Sequence, residues 1–212
     1  MLLDRCRYIV VEGPIGVGKT SLATRLARHI IGTTVLEKPE ENPFLAKFYQ
    51  DPQRYALATQ LFFLFQRSNE VRDLAQMDLF SAHTVADYLF DKDPLFAKLN
   101  LSDQEFVLYQ QIFHALQLEA PAPDLVIYLQ ATPETLAERV RTRAKTYELG
   151  MSESYLFRLS QSYSDFFYHY DAAPVMVVNS ERLNFVDGDE DFGLLINRIE
   201  EMRGPREFFS KG

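Results

Sequence analysis

Near its start the chain carries Gly13, Pro14, Ile15, Gly16, Val17, Gly18, Lys19 and Thr20 in succession, the Walker A spacing G-x-x-x-x-G-K-[ST]. Glycines let the backbone turn tightly enough for successive N–H groups to converge on one anion. Lys19 reaches the outer phosphates of a nucleoside triphosphate, and the Thr20 hydroxyl is a ligand for Mg²⁺. Ser21 follows at the start of the next element. The competing reading is a glycine-rich turn that binds nothing. Context weighs against it, because Tyr8-Ile-Val-Val11 precedes the turn as an apolar strand and Leu22, Leu26 and Ile30 recur after it at helical spacing. A helix starting there adds its positive dipole end to the cradle. The loop alone does not separate a kinase from an ATPase or a GTPase switch.

Other polar positions narrow the chemistry. Glu37 opens the run Glu37-Lys-Pro-Glu-Glu-Asn-Pro43 directly after a strand read at Thr33–Leu36. A carboxylate there could take the proton of a hydroxyl attacking a phosphate, or it could be a solvated loop acid like Glu40 and Glu41. Gln60 and Arg67 interrupt an otherwise apolar helix read from about Arg54 to Ala75, and their seven-residue separation puts them on one face. A glutamine amide reads a nucleobase edge with both donor and acceptor; the alternative is a Gln satisfied by neighbours and an exposed Arg. Asp87 follows a third strand ending near Val85-Ala86, where it could hold Mg²⁺ through water. Arg139, Arg141, Arg143 and Lys145 form a basic cluster in which Arg139 and Arg143 share a helix face. They could clamp a transferring phosphoryl group, or form a solvated helix end.

The elements that must position these groups alternate. Ser102-Asp-Gln-Glu105 is a capping box that opens an amphipathic helix through Phe106, Tyr109, Phe113 and Leu116. Leu125–Leu129 reads as a buried strand, Thr132 with Pro133 as a helix start, Ser152 as another, and Val175–Val178 as the last strand. This pattern predicts an α/β doubly wound fold of five parallel strands with helices on both faces and ligands beyond the strands' C-terminal ends. A chain of 212 residues suits one domain, spanning 1–212, with a short helical lid at about 139–150. The net charge of −8 and the lack of a basic stripe argue against nucleic acid as a partner. One cysteine, Cys6, excludes an internal disulfide or a multi-cysteine metal site. No apolar run of membrane-spanning length and no signal-peptide pattern appears, so no membrane and a cytoplasmic location are expected.

From about Tyr8 to Phe192 the chain resembles the deoxynucleoside kinase family, in particular the bacterial deoxyadenosine and deoxyguanosine kinases. The residues that carry the likeness are the E-x-x-x-x-N-P stretch from Glu37, Phe48-Tyr49-Gln-Asp-Pro52, the Gln60/Arg67 spacing, Pro123-Asp-Leu-Val-Ile-Tyr-Leu129 and the lid run after it. The resemblance implies ATP as donor with Mg²⁺, a deoxynucleoside as acceptor and a homodimer. It implies Glu37 as the base for the sugar 5′-hydroxyl, Tyr49 and Glu148 at the 3′-hydroxyl, Gln60 on the nucleobase, and Arg67 with Asp93 as a charged pair beside it. It implies that the loop Leu183-Asn-Phe185-Val-Asp187 packs against adenine, with Arg143 also on ATP. One departure stands out. Relatives have an acid–Arg–Ser triplet after strand 3, and this chain has Asp87-Tyr88-Leu89. If a helix starts at Tyr88, Lys92 lies one turn on and could supply the missing cation; otherwise it merely solvates a helix between Asp91 and Asp93.

Two other functions stay open at this stage: a nucleoside monophosphate kinase of the thymidylate type, and a nucleotide-binding module without turnover. The Walker lysine gives the first test. Lys19→Ala should abolish phosphoryl transfer and leave the melting temperature nearly unchanged, since a loop substitution rarely costs much stability. Turnover at the wild-type rate would refute the phosphate cradle.

Overall fold

The computed structural model describes residues 1–77, 83–116, 121–148, 150–186 and 188–211. Six strands form one parallel sheet: β1 (Tyr8–Glu12), β2 (Thr33–Val35), β3 (Thr84–Ala86), β4 (Leu125–Gln130), β5 (Val175–Asn179) and β6 (Arg206–Ser210). Their order is β2-β3-β1-β4-β5-β6. The doubly wound α/β architecture matches the expectation, except that the sheet has six strands rather than five. β6 pairs with β5 from Val175↔Arg206 to Asn179↔Ser210. Its Arg-Glu-Phe-Phe-Ser sequence has no apolar run because an edge strand needs none: Phe208 is exposed while Phe209 packs inward.

Parallel pairing requires a crossover between strands, and helices supply it. They are α1 (Lys19–His29), α2 (Leu45–Gln50), α3 (Pro52–Met77), α4 (Asp93–Asn100), α5 (Asp103–Leu116), α6 (Pro133–Arg143), α7 (Glu153–His169) and α8 (Asp189–Glu200). The Ser102 and Glu105 side chains close the predicted capping box, and the Thr132 and Ser152 hydroxyls cap α6 and α7.

Strand alternation divides the interior into two cores. Ile9, Val11, Ile127 and Val178 face α1, α6 and α8 through Leu22, Leu136 and Leu195. Val10, Val126, Tyr128 and Val177 face the other way, against Leu159, Tyr163 and Phe167 of α7 and Leu45 and Phe48 of α2. A third cluster, Leu64, Phe90, Ala97 and Tyr109, fastens α3, α4 and α5 to one another outside the sheet. At the sheet's C-terminal edge β2, β3 and β1 end beside one another. Among the described residues no helix is long and apolar enough to cross a membrane.

Candidate active site

At the end of β1 the chain turns through the glycine loop into α1. Gly13 and Gly16 have φ of +151° and +88°, and a Cβ on Gly13 would lie 2.4 Å from the Leu129 carbonyl oxygen. Only glycine permits both the dihedral and the approach to β4. Lys19 folds back over the loop and donates to the carbonyls of Gly13 at 2.7 Å and Pro14 at 3.3 Å. Burial, reinforced by nearby Lys92, brings its ammonium down to about 8. Phosphate oxygens would offer it better acceptors than those carbonyls and would hold it charged.

Asp87, at the end of β3, ties two strands to the loop. Its Oδ2 accepts from Thr20 Oγ1 at 2.5 Å and its Oδ1 from the Glu37 backbone N–H at 2.8 Å. Glu37 thereby enters a cleft of about 860 Å³, open to solvent, lined also by Ile15, Gly16, Lys19, Thr20, Tyr49, Gln60, Arg67, Lys92, Arg143 and Glu148. Pro14, Val17 and Gly18 form the loop without lining this cleft. Ser21 lies on an adjoining groove with Thr24, Arg28 and Val186.

The far wall of the cleft is a charged network. Arg67 Nε and Nη2 both donate to Glu37 Oε1, the first at 2.9 Å, and Nη1 donates to Asp93 Oδ2. Asp93 is fully buried and also accepts from Gln60 Nε2 at 2.7 Å and Tyr109 OH at 2.8 Å. Both Arg67 bonds to Glu37 fall on Oε1, so Oε2 keeps its lone pairs for the cleft. Likewise the amide nitrogen of Gln60 is held by Asp93, which leaves its oxygen toward the cleft. Burial pushes the Glu37 carboxyl up, but the Arg67 guanidinium outweighs it, aided by Lys92 and Lys19, and holds it at about 2. Burial raises Tyr49, whose ring packs against Phe48 and Tyr155.

Lys92 reaches the cleft by a different route from the one expected. No helix begins at Tyr88: Leu89 is extended, and a 3-10 turn over Phe90–Lys92 precedes α4. Tyr88 is 1% exposed and its side chain stays out of the cleft. The turn delivers Lys92 to the wall, where its Nζ lies 3.0 Å from Glu12 Oε2 and 5.5 Å from the Phe96 ring centroid.

The lid cluster divides. Arg143 reaches the cleft and pairs with Glu148, whose carboxyl is pushed up by burial. Arg139 does not line it. Its guanidinium donates to Val17 O at 3.3 Å, Ser180 Oγ at 3.1 Å and Ser180 O at 2.8 Å, joining α6 to the back of the glycine loop. Arg139 thus ties α6 to the glycine loop and to Ser180 just past β5, apart from the cleft that Arg143 enters. Phe185 is buried with its ring against Gly18. Arg25 donates to the carbonyls of Phe185, Val186 and Gly188 and fixes the loop. Asp187 lies outside the described residues. Arg141 and Lys145 are exposed.

Residues 9–203 match the deoxynucleoside kinase family. The chain belongs to that family. It is 32% identical over 205 residues to the deoxyguanosine kinase of Bacillus subtilis, covering 94% of this chain and 99% of that one. It is 29% identical over 209 residues to the deoxyadenosine kinase of Lactobacillus acidophilus, covering 92% and 95%. The solved deoxyadenosine kinase of M. mycoides with bound dATP has the same fold, with TM-score 0.79 and 24% identity over 92% of this chain and 99% of that one. Family membership makes the chain an enzyme, an ATP-dependent kinase of deoxynucleosides.

Sequence reasoning passed over two buried residues that hold this kinase's cleft wall from behind. Glu12 is a carboxylate inside an apolar strand, 0% exposed; that misplaced charge beside Gly13 was the available signal. Tyr109 looked like one more apolar position of α5, and nothing local pointed to Asp93.

The Arg67 network has a pH signature. Glu37 folds at about 2 against an ordinary 4.5, so its contribution is present above 4.5 and is lost as pH falls toward 2. In Arg67→Met, burial is no longer opposed by the guanidinium and the carboxyl moves up. Its contribution then favours folding below 4.5 and is lost as pH rises. Urea titrations should show the variant about 3–5 kcal/mol less stable at pH 7, the usual cost of unpairing buried charge. The deficit should narrow at pH 5. A deficit independent of pH would show that Arg67 does not govern Glu37.

Proposed function

We propose that this kinase phosphorylates the 5′-hydroxyl of a purine deoxynucleoside, with Glu37 as the base. One observation carries the reading: Glu37 and Lys19 open on the same cleft, and Gln60 and Arg67 form its far wall. The acceptor hydroxyl belongs near Glu37 Oε2, which takes its proton as the oxygen attacks the γ-phosphorus. The γ-phosphoryl leaves ADP and joins the acceptor, while Lys19 and Arg143 face the charge on its oxygens. Tyr49 and Glu148, side by side in the lining, suit the sugar 3′-hydroxyl. The Gln60 oxygen suits a base edge bearing N–H groups. The relatives' names, deoxyguanosine and deoxyadenosine kinase, support a purine.

Thr20 and Asp87 would hold Mg²⁺, since their adjacent oxygens are the hard donors it takes. When bound, Mg²⁺ neutralises charge on the β- and γ-phosphates. The chain is read as one domain, with Arg143 to Glu148 as its lid, acting in the cytoplasm. A homodimer is supported by the apolar side chains of Phe65 on α3 and Val107 and Leu108 on α5, which are 49%, 55% and 45% exposed. Sedimentation velocity should give twice the chain mass; a monomer at micromolar concentration would remove the dimer from the reading.

Four deoxynucleosides and their four monophosphates, each with ATP and Mg²⁺, decide the substrate by product mass. Deoxyadenosine or deoxyguanosine should be converted. Conversion of monophosphates alone would establish a thymidylate-type kinase, and ATP binding without any product a regulatory module. With the preferred substrate, Glu37→Gln should lower kcat by about 10²–10⁴-fold with KM less affected. A change below about threefold would place the base elsewhere.

A further inference from the structure

We propose that Lys92, aimed by Glu12, is a catalytic cation of the phosphoryl transfer, and that Glu12 is its positioning residue. The proposal rests on the reading of Glu37 and Lys19 as the two groups that bracket the reacting atoms.

Glu12 is oriented without help from Lys92. Its Oε1 accepts from the Gly13 N–H at 2.8 Å and Tyr163 OH at 3.0 Å, and its Oε2 accepts from the Leu89 N–H at 2.7 Å. Three donors from the glycine loop, α7 and the β3 exit thus fix the carboxylate before the lysine is counted. Lys92 Nζ then lies 3.1 Å from Oε1 and 3.0 Å from Oε2. An ammonium has three N–H groups. Glu12 engages it through two oxygens on one side, so a further N–H remains for the cleft that Lys92 lines with Lys19, Glu37 and Asp87.

The pair is poorly explained as a stabiliser. Both side chains are at most 2% exposed, and a buried ion pair is seldom more stabilising than apolar groups of the same volume. A reaction that gathers negative charge in a water-poor cleft does need a fixed positive charge. Lys92 sits where that charge would act, since its field reaches both the Lys19 ammonium and the Glu37 carboxyl. The neighbouring Asp87-Tyr88-Leu89 brings no cation to the wall. In the transfer the bond from γ-phosphorus to the bridging oxygen breaks, the bond to the acceptor oxygen forms and the hydroxyl proton goes to Glu37. Lys92 donates hydrogen bonds to the phosphoryl oxygens throughout and keeps its own protons.

The test uses the purified wild-type enzyme, Lys92→Ala, Lys92→Arg, the double variant Glu12→Gln with Lys92→Met, and exposed Lys98→Ala as control. Each is assayed for kcat and KM with ATP, Mg²⁺ and the best deoxynucleoside, and each is melted. Lys92→Ala should lose about 10²–10³-fold in kcat, as for one preorganised donor, with deoxynucleoside KM within about threefold. Lys92→Arg should recover part of that loss, and Lys98→Ala should match wild type. The double variant removes the charge of both partners. It should melt closer to wild type than Lys92→Ala does and yet remain as slow, which a purely structural role would not produce. The proposal is overturned if Lys92→Ala keeps wild-type kcat, or if the double variant regains it. Should Lys92→Ala not melt cooperatively, the double variant and Lys92→Arg decide in the same way: a slow double variant with an active arginine variant supports it, equal kcat in the two refutes it. A wild type inactive on all four deoxynucleosides would instead count against the proposed function.

Discussion

The cleft depends on one guanidinium. Arg67 is 3% exposed and bonds two carboxylates that arrive from opposite directions, Glu37 from the β2 exit and Asp93 from the start of α4. Without it, two carboxylates, one of them fully buried, would lie in the same wall of the cleft with no cation between them, a costly arrangement. With it, α3, α4 and the β2 loop have a shared geometry. Tyr109 and Gln60 add neutral donors to Asp93, so α5 enters the same network. Gln60 and Glu37 are therefore mechanically joined through Asp93 and Arg67.

A second carboxylate–cation arrangement stands beside it at the β1 exit, where Glu12 holds Lys92 next to the glycine loop. The two arrangements alternate in sign along the wall: Asp93, Arg67, Glu37, then Lys19 and Lys92, then Glu12. Alternation sets cation beside carboxylate in a low-dielectric setting, where such contacts are stronger than in water. The net charge of −8 for the whole chain does not conflict with polyphosphate binding, because the cations are gathered at this one edge.

Helix α6 serves two ends. Arg139 binds Val17 O and Ser180, while Arg143, a turn later, reaches Glu148. The first tie sets the distance between α6 and the glycine loop, where a Cβ on Gly16 would come within 2.9 Å of the Leu136 carbonyl oxygen. The second arginine can then extend into the cleft from a fixed base.

Much of this was legible in the residues themselves. The glycine loop, the strand–helix alternation, the caps at Ser102, Thr132 and Ser152, and the grouping of Glu37, Gln60, Arg67 and Asp93 all follow from local spacing and from the family likeness, since periodicity and turn chemistry are short-range properties. The edge strand Arg206–Ser210 escaped because its pattern is charged and its pairing is set by β5. Glu12 escaped because its partner hydroxyl on Tyr163 is 151 residues away, and the tie of Arg139 to Val17 and Ser180 escaped because helix phase alone does not show what a side chain meets. Sequence determined which groups can do chemistry and which elements carry them. Tertiary packing alone decided which buried charge meets which, because a charge withdrawn from water takes the nearest partner in space, however distant along the chain.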